Sequence, residues 1–257
     1  MTRKILLTAM VVLLSGGLLG SYFYFAGRLD AKGRSLSRCE RISVLLDDQA
    51  GASIVDPEEI EREVSPMAIG MVADSIDLDA IERALNARGE IVSAQVYLAA
   101  PAHLAIEIMQ RRPVVRFETP GAHFYCDDKG FIFPVRNASD VPVVTGKIPL
   151  TLEASYKGPA PENDMEWVMG MVNLAMHIDQ DAFLRGEIAQ IDVARSDELM
   201  LYTNSEGPCF IFGGSGSYRE KFRKMYIYWR NISPAAASAG KTYRTINLKY
   251  NNQIICK

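Results

Sequence analysis

From Ile5 to Phe25 the chain reads ILLTAMVVLLSGGLLGSYFYF, 21 residues without a charge. As a helix this run is about 32 Å long, enough to cross the hydrocarbon core of a bilayer once. A cleaved signal peptide is the rival reading, but the apolar core of such a peptide spans only about 7 to 15 residues. The one candidate cleavage stretch, Tyr24-Phe25-Ala26, also puts a bulky ring where a small residue is wanted. The run is therefore read as an uncleaved anchor, with Tyr22 to Phe25 as an aromatic belt at one interface. Gly16 and Gly20 make a G-x-x-x-G within it, a spacing that would let a second helix approach and that membrane helices also carry without doing so. Arg3 and Lys4 precede the span and Arg28, Lys32, Arg34, Arg38 and Arg41 follow it. Local counting would turn the chain around, yet long trailing domains translocate largely regardless of charge.

The chain has a net charge of −3, and beyond residue 27 it holds 26 basic against 31 acidic side chains. A phosphate-binding surface is not the default for such a balance, because nucleic-acid affinity rests on clustered Lys and Arg. Cys39, Cys126, Cys209 and Cys256 form no C-x-x-C, so neither a zinc ribbon nor a thioredoxin-type motif can be drawn. Cys126 and Cys209 would pair only if they faced each other in an oxidising compartment, and the spacing does not choose among pairings.

The segment of residues 28–40 is polar and aperiodic, a linker. Ile42, Val44 and Leu46 then mark a strand. Asp56-Pro57-Glu58-Glu59 starts a short helix, to about Val64, with Asp as cap and Pro at the first helical position. A second helix opens at Asp77, with Leu78, Ile81 and Leu85 on one face and Gly89 past its end. Val92, Ala94, Val96 and Leu98, then Leu104, Ile106 and Ile108, alternate with polar or small residues across a turn at residues 101–103, an antiparallel hairpin. Strand, helix, helix, strand, strand makes a small α+β unit over residues 41–112. Residues 113–257 form a second, β-rich region with two or more helices. Short strands are expected at Val114 to Glu118, His123 to Cys126 and Phe131 to Val135, with a turn at Asp127 to Gly130. Helices follow at Met165 to Asp179 and, with Ser217 as cap, at Ser217 to Ile232. Between them lie strands at Ile188 to Val193, Leu199 to Thr203 and Cys209 to Phe212. Two closing strands, Tyr243 to Tyr250 and Gln253 to Lys257, are joined by Asn251-Asn252.

Candidate chemistry is sparse. Gly213-Gly214-Ser215-Gly216-Ser217 sits between a strand and a helix, where a phosphate loop would sit, but it lacks the Gly-Lys-Ser/Thr ending and the G-x-G-x-x-G spacing. Asp127 and Asp128 are adjacent carboxylates in a turn, expected to be solvated. His103, His123 and His177 stand alone in the sequence, and no G-x-S-x-G, H-E-x-x-H or S-x-x-K occurs. The basic stretch Arg219, Lys221, Arg223, Lys224 and Arg230 reads as the solvated face of an amphipathic helix. A membrane-anchored periplasmic enzyme or wall-binding module stays open as an alternative, with its groove in the β-rich region.

Three stretches carry a resemblance. The first runs from Ile76-Asp77-Leu78 to Leu104-x-Ile106-x-Ile108 and Gln110-Arg111-Arg112-Pro113. The second is Tyr125-Cys126-Asp127 with Gly130, Phe133-Pro134 and Val141 to Gly146. The third is the closing YRTINLKYNNQIICK. Together, and in this order, they resemble the FtsQ/DivIB family of bacterial cell-division proteins, in the form seen among Bacteroidetes. The resemblance implies a POTRA domain at residues 41–112, a β domain at 113–257, and a cytoplasmic tip with its span at 1–27. It implies a single-pass protein of the inner membrane, amino terminus inside and bulk in the periplasm, at the division septum. It further implies a non-enzymatic scaffold without cofactor, small-molecule substrate or nucleic acid. Its partners would be FtsB and FtsL, with FtsK, FtsW and FtsI as further candidates. FtsB would be captured by strand addition at Lys249, Tyr250, Asn252, Gln253 and Ile254, where Lys249 replaces a family arginine.

Overall fold

The computed structural model describes residues 37–47, 53–100, 102–195, 198–204 and 207–257. The expected anchor, with Gly16 and Gly20, and most of the linker lie outside them. Among the described residues no helix is long and apolar enough to cross a membrane. The fold is mixed α+β and divides into two units.

The first unit takes in described residues 37–47, 56–87 and 93–109. Its elements are β1 (Arg41–Leu46), α1 (Pro57–Ala68), a 3-10 turn (Ala73–Ser75), α2 (Leu78–Asn86), β2 (Ile91–Ala100) and β3 (His103–Gln110). The sheet order is β1-β3-β2, with β1 parallel to β3 and Ile42 opposite Leu104. A parallel neighbour requires a long crossover, which the two helices provide. Both helices start where the acids predict. The Asp56 side chain accepts the Glu58 N–H at 2.9 Å, and that of Asp77 accepts the Ala80 N–H at 2.8 Å. Helix α1 runs on past the expected stop at Val64, through Pro66. Ile60, Val64 and Ala68 form one buried row, and burying its last turn outweighs the N–H that proline removes. Val92, expected to point inward, is 47% exposed; Ile91 is buried instead, and strict alternation begins at Ala94.

The second unit takes in described residues 53–55, 88–92 and 110–257. Its strands are β4 (Pro113–Thr119), β5 (Ala122–Asp127), β6 (Phe131–Pro134), β7 (Val143–Gly146), β8 (Gly158–Pro159), β9 (Ile188–Arg195), β10 (Glu198–Thr203), β11 (Cys209–Gly213), β12 (Thr245–Asn247) and β13 (Ile255–Cys256). They form one sheet in the order β13-β12-β11-β10-β9-β7-β4-β5-β6-β8. The helices are α3 (Met165–Gln180), α4 (Ala182–Glu187), α5 (Tyr218–Ile227) and, after a π-helical turn at Tyr228–Ile232, α6 (Ser233–Ser238). Alternate strand residues, among them Phe117, Phe124, Ile191, Leu201, Phe210 and Ile246, share one core with Met171, Leu174 and Ile178 of α3 and Phe222 and Met225 of α5. Period-two strands against period-3.6 helices are the pattern the sequence displays.

Some expectations are corrected here. Ser217 does not cap α5 through its side chain; it sits at φ 53° as the chain enters the helix. Asp127 is 5% exposed rather than solvated. Its carboxylate accepts the Lys129 and Phe131 N–H groups at 2.9 and 2.8 Å and pairs with Arg111 at 2.9 Å, which closes the turn around Gly130 at φ 80°. Cys126 and Cys209 lie on β5 and β11, five strand spacings or about 24 Å apart. They do not pair, and all four thiols are free.

Candidate functional site

A sheet that ends in a two-residue strand leaves backbone groups unpaired at that edge. Strand β13 is that edge, paired on its inner side to β12 with Cys256 opposite Ile246 and Ile255 opposite Asn247. The Lys257 N–H donates to the Thr245 carbonyl at 2.9 Å, and the Thr245 N–H returns the bond at 3.1 Å. Antiparallel partners alternate between bonded and non-bonded pairs, so residue 257 faces inward and Cys256 turns its N–H and C=O to the open edge. By the same alternation Ile254, two residues earlier, belongs to the outward row. Cys256 is thus a site residue that side-chain reading missed, because what it offers is main chain.

The expected strand Tyr243 to Tyr250 is shorter than its alternation suggests. Ile246 and Leu248 are both fully buried, as alternation predicts, but pairing stops at Asn247. There the Asn247 Oδ1 accepts the Lys249 N–H at 3.0 Å and diverts the chain. Lys249, Tyr250, Asn252 and Gln253 consequently lie in the turn between β12 and β13, with Asn252 at φ 56°. Ile254 leads into β13, half-buried against the core. The five residues lie together in this short stretch, but not along one strand.

Two lysines fasten this turn to the domain, and a third holds the neighbouring glycine loop. Lys249 Nζ donates to Glu198 Oε1 at 2.7 Å, while Arg195 holds the other carboxylate oxygen at 2.8 Å. With Lys249 first and Arg195 second, these bonds hold the Glu198 carboxyl down at about 2. Lys224, only 7% exposed on α5, donates to the Tyr250 carbonyl at 2.7 Å and lies 3.2 Å from Glu220. Lys221 donates to the Gly214 carbonyl at 2.6 Å. The glycine cluster is thereby explained without phosphate: Gly213, at φ 74°, lies so close to the Lys249 stem that a Cβ would meet its Cγ at 2.9 Å. Tyr250 itself is 52% exposed. Behind the turn, Asp181 accepts the Tyr226 hydroxyl and the N–H groups of Phe183 and Leu184, tying α4 to α5. The Tyr226 bond keeps the Asp181 carboxyl below its ordinary range, and burial, then Asp181, pushes the Tyr226 phenol to about 12.

The rival groove is a cleft of about 390 Å³ lined by Arg112, Asp128, Asp140, Asp179 and Arg185 among others. Asp179 is shared there between Arg112 at 4.0 Å and Arg185 at 3.5 Å, and no histidine, cysteine or lysine lines the cleft. His123 has a partner that the sequence did not reveal, the cross-strand Glu118.

A family model described as FtsQ/DivIB, C-terminal related, matches residues 112–257. Over 129 residues, half of this chain, the sequence is 26% identical to the cell division protein FtsQ of Streptomyces bingchenggensis (strain BCW-1). The match spans 44% of that protein's length.

Proposed function

Because the chain belongs to the FtsQ/DivIB family, we propose that it is a non-enzymatic scaffold of the bacterial division machinery that captures a partner strand at the open edge of β13. In this reading the first unit is the POTRA domain of residues 41–112 and the second the β domain of residues 113–257. Residues 1–27 anchor the chain in the inner membrane at the septum, with both units in the periplasm. FtsB, in complex with FtsL, supplies the added strand, and FtsK, FtsW and FtsI are the further partners.

The observation that carries this reading is the outward-facing main chain of Cys256, with an exposed Tyr250 in the turn that leads into its strand. An added strand gains affinity from backbone hydrogen bonds and selectivity from side chains beside the edge. Tyr250 supplies an aromatic contact whose carbonyl is already fixed by Lys224. Lys249, its charge held on Glu198, fixes the height of the turn.

Tyr250→Asp is expected to weaken binding of the periplasmic segment of FtsB by about tenfold or more, the usual scale for losing an aromatic anchor at an interface. Titration calorimetry on the full chain reads the affinity, and circular dichroism should be unchanged. Unaltered affinity would sink the assignment of this edge.

A further inference from the structure

Charge is distributed along this chain in a way that the strand edge does not use. Residues 56–82 hold nine acids against one base, and residues 217–257 hold nine bases against one acid. The fold brings part of each set to a surface. In the second unit Lys221, Lys224 and Lys249 are engaged internally, on Gly214, Tyr250 and Glu198. Arg219, Arg223 and Arg230 instead stay exposed along α5 and the π-helical turn, with no carboxylate against them among the described residues. Elsewhere in the same unit Arg111, Arg116 and Arg195 each hold one. Ile227, 38% exposed, shares the helical row of these three arginines.

The first unit presents the opposite character. Glu58 and Glu61 on α1, Asp74 on the 3-10 turn and Asp79 on α2 are exposed, and among the described residues no cation holds their carboxylates. Ile69 and Met71, just past α1, are 43% and 40% exposed, an apolar counterpart to Ile227.

We propose that the arginine stripe of α5 in one copy docks on the acidic α1–α2 face of a second copy. Unlike patches attract and steer encounter, whereas two α5 stripes repel, so complementarity selects the head-to-tail pairing. Each copy carries both faces. A heterologous contact of this kind repeats from copy to copy into a row instead of stopping at a pair. The contact is weak and salt-sensitive because the guanidinium and carboxylate groups are exposed. Anchoring copies on one membrane raises their effective concentration and offsets that weakness. This inference rests on the proposed membrane anchor but stands apart from the strand edge and from any division partner.

The test is energy transfer between donor- and acceptor-labelled copies of the full chain, reconstituted in vesicles of neutral lipid. Wild-type transfer should fall several-fold as salt rises from about 0.05 to about 0.5 M, where the screening length shrinks from roughly 14 to roughly 4 Å. The variant R219E/R223E/R230E, and separately E58K/E61K/D79K, should each lose the salt-sensitive transfer with circular dichroism unchanged. Mixing the two variants should restore it, because the reversed faces then match. Transfer that survives in both variants overturns the proposal and assigns association elsewhere, for example to the Gly16/Gly20 spacing; transfer that stays lost in the mixture overturns the pairing of these two faces. Absence of any salt-sensitive transfer in the wild type overturns it as well.

Discussion

Replacing Phe210 with alanine is expected to destabilise the second unit by about 3 to 5 kcal/mol, the range for emptying a fully buried aromatic site. Phe210, the second residue of β11, is 0% exposed. Its ring meets Tyr228 edge-on at 5.5 Å and Trp229 at 5.0 Å, which seats the π-helical turn on the sheet. Neighbouring strands place Leu201 and Ile246 beside it. The collapse needed to refill that space would have to move two strands and a helix, so most of the cavity should persist. Both tryptophans of the chain, Trp167 and Trp229, lie in this unit, so fluorescence during urea unfolding reports on it alone. The midpoint should drop with the slope unchanged. A loss below about 1 kcal/mol would mean that the site refills and that β11 is looser than its packing indicates.

Lys224→Met should have a different signature. Methionine keeps much of the buried stem but removes the charged donor on the Tyr250 carbonyl, a bond of the class worth about 1.5 to 3 kcal/mol. Tyr250 is exposed, so water can take over the carbonyl and global stability should change little. The loss is local to the turn. Amide exchange at residues 249–254 should accelerate about ten- to a hundredfold, while β10 and β11 keep their protection. Partner affinity should drop with it, since a mobile turn must be ordered on binding. Unchanged exchange in the turn would show that Asn247 and Glu198 hold it without Lys224.

Much of this fold was legible because local signals agreed with one another. Asp56-Pro57 and Asp77 announced two helix starts through capping chemistry that needs no tertiary information, and Asp127 to Gly130 announced a turn. Errors arose where a distant contact overrode the local pattern. Burial of Ala68 carried α1 through Pro66, and one Asn247 side-chain bond cut short a strand that alternation alone would have continued to Tyr250. Helix α4 is six residues, too short for periodicity to register, and the π-helical turn is visible only against Phe210. The turn that Lys249 to Gln253 form was not legible as such, nor were the bonds that hold it. Lys249, which the resemblance places at the strand-addition site, donates to Glu198 of its own domain, 51 residues earlier in the chain. Cys256 offers only main chain, for which a one-letter code has no symbol.

The central claim is that β13 takes an additional strand. Hydrogen exchange resolved across residues 244–257 of the full chain, with and without saturating FtsB periplasmic segment, tests it directly. The outward N–H groups of Ile254 and Cys256 should gain protection on binding, while the Thr245 N–H, already bonded to Lys257, stays as it was. Bound partner without added protection at Ile254 and Cys256 would contradict strand addition at this edge.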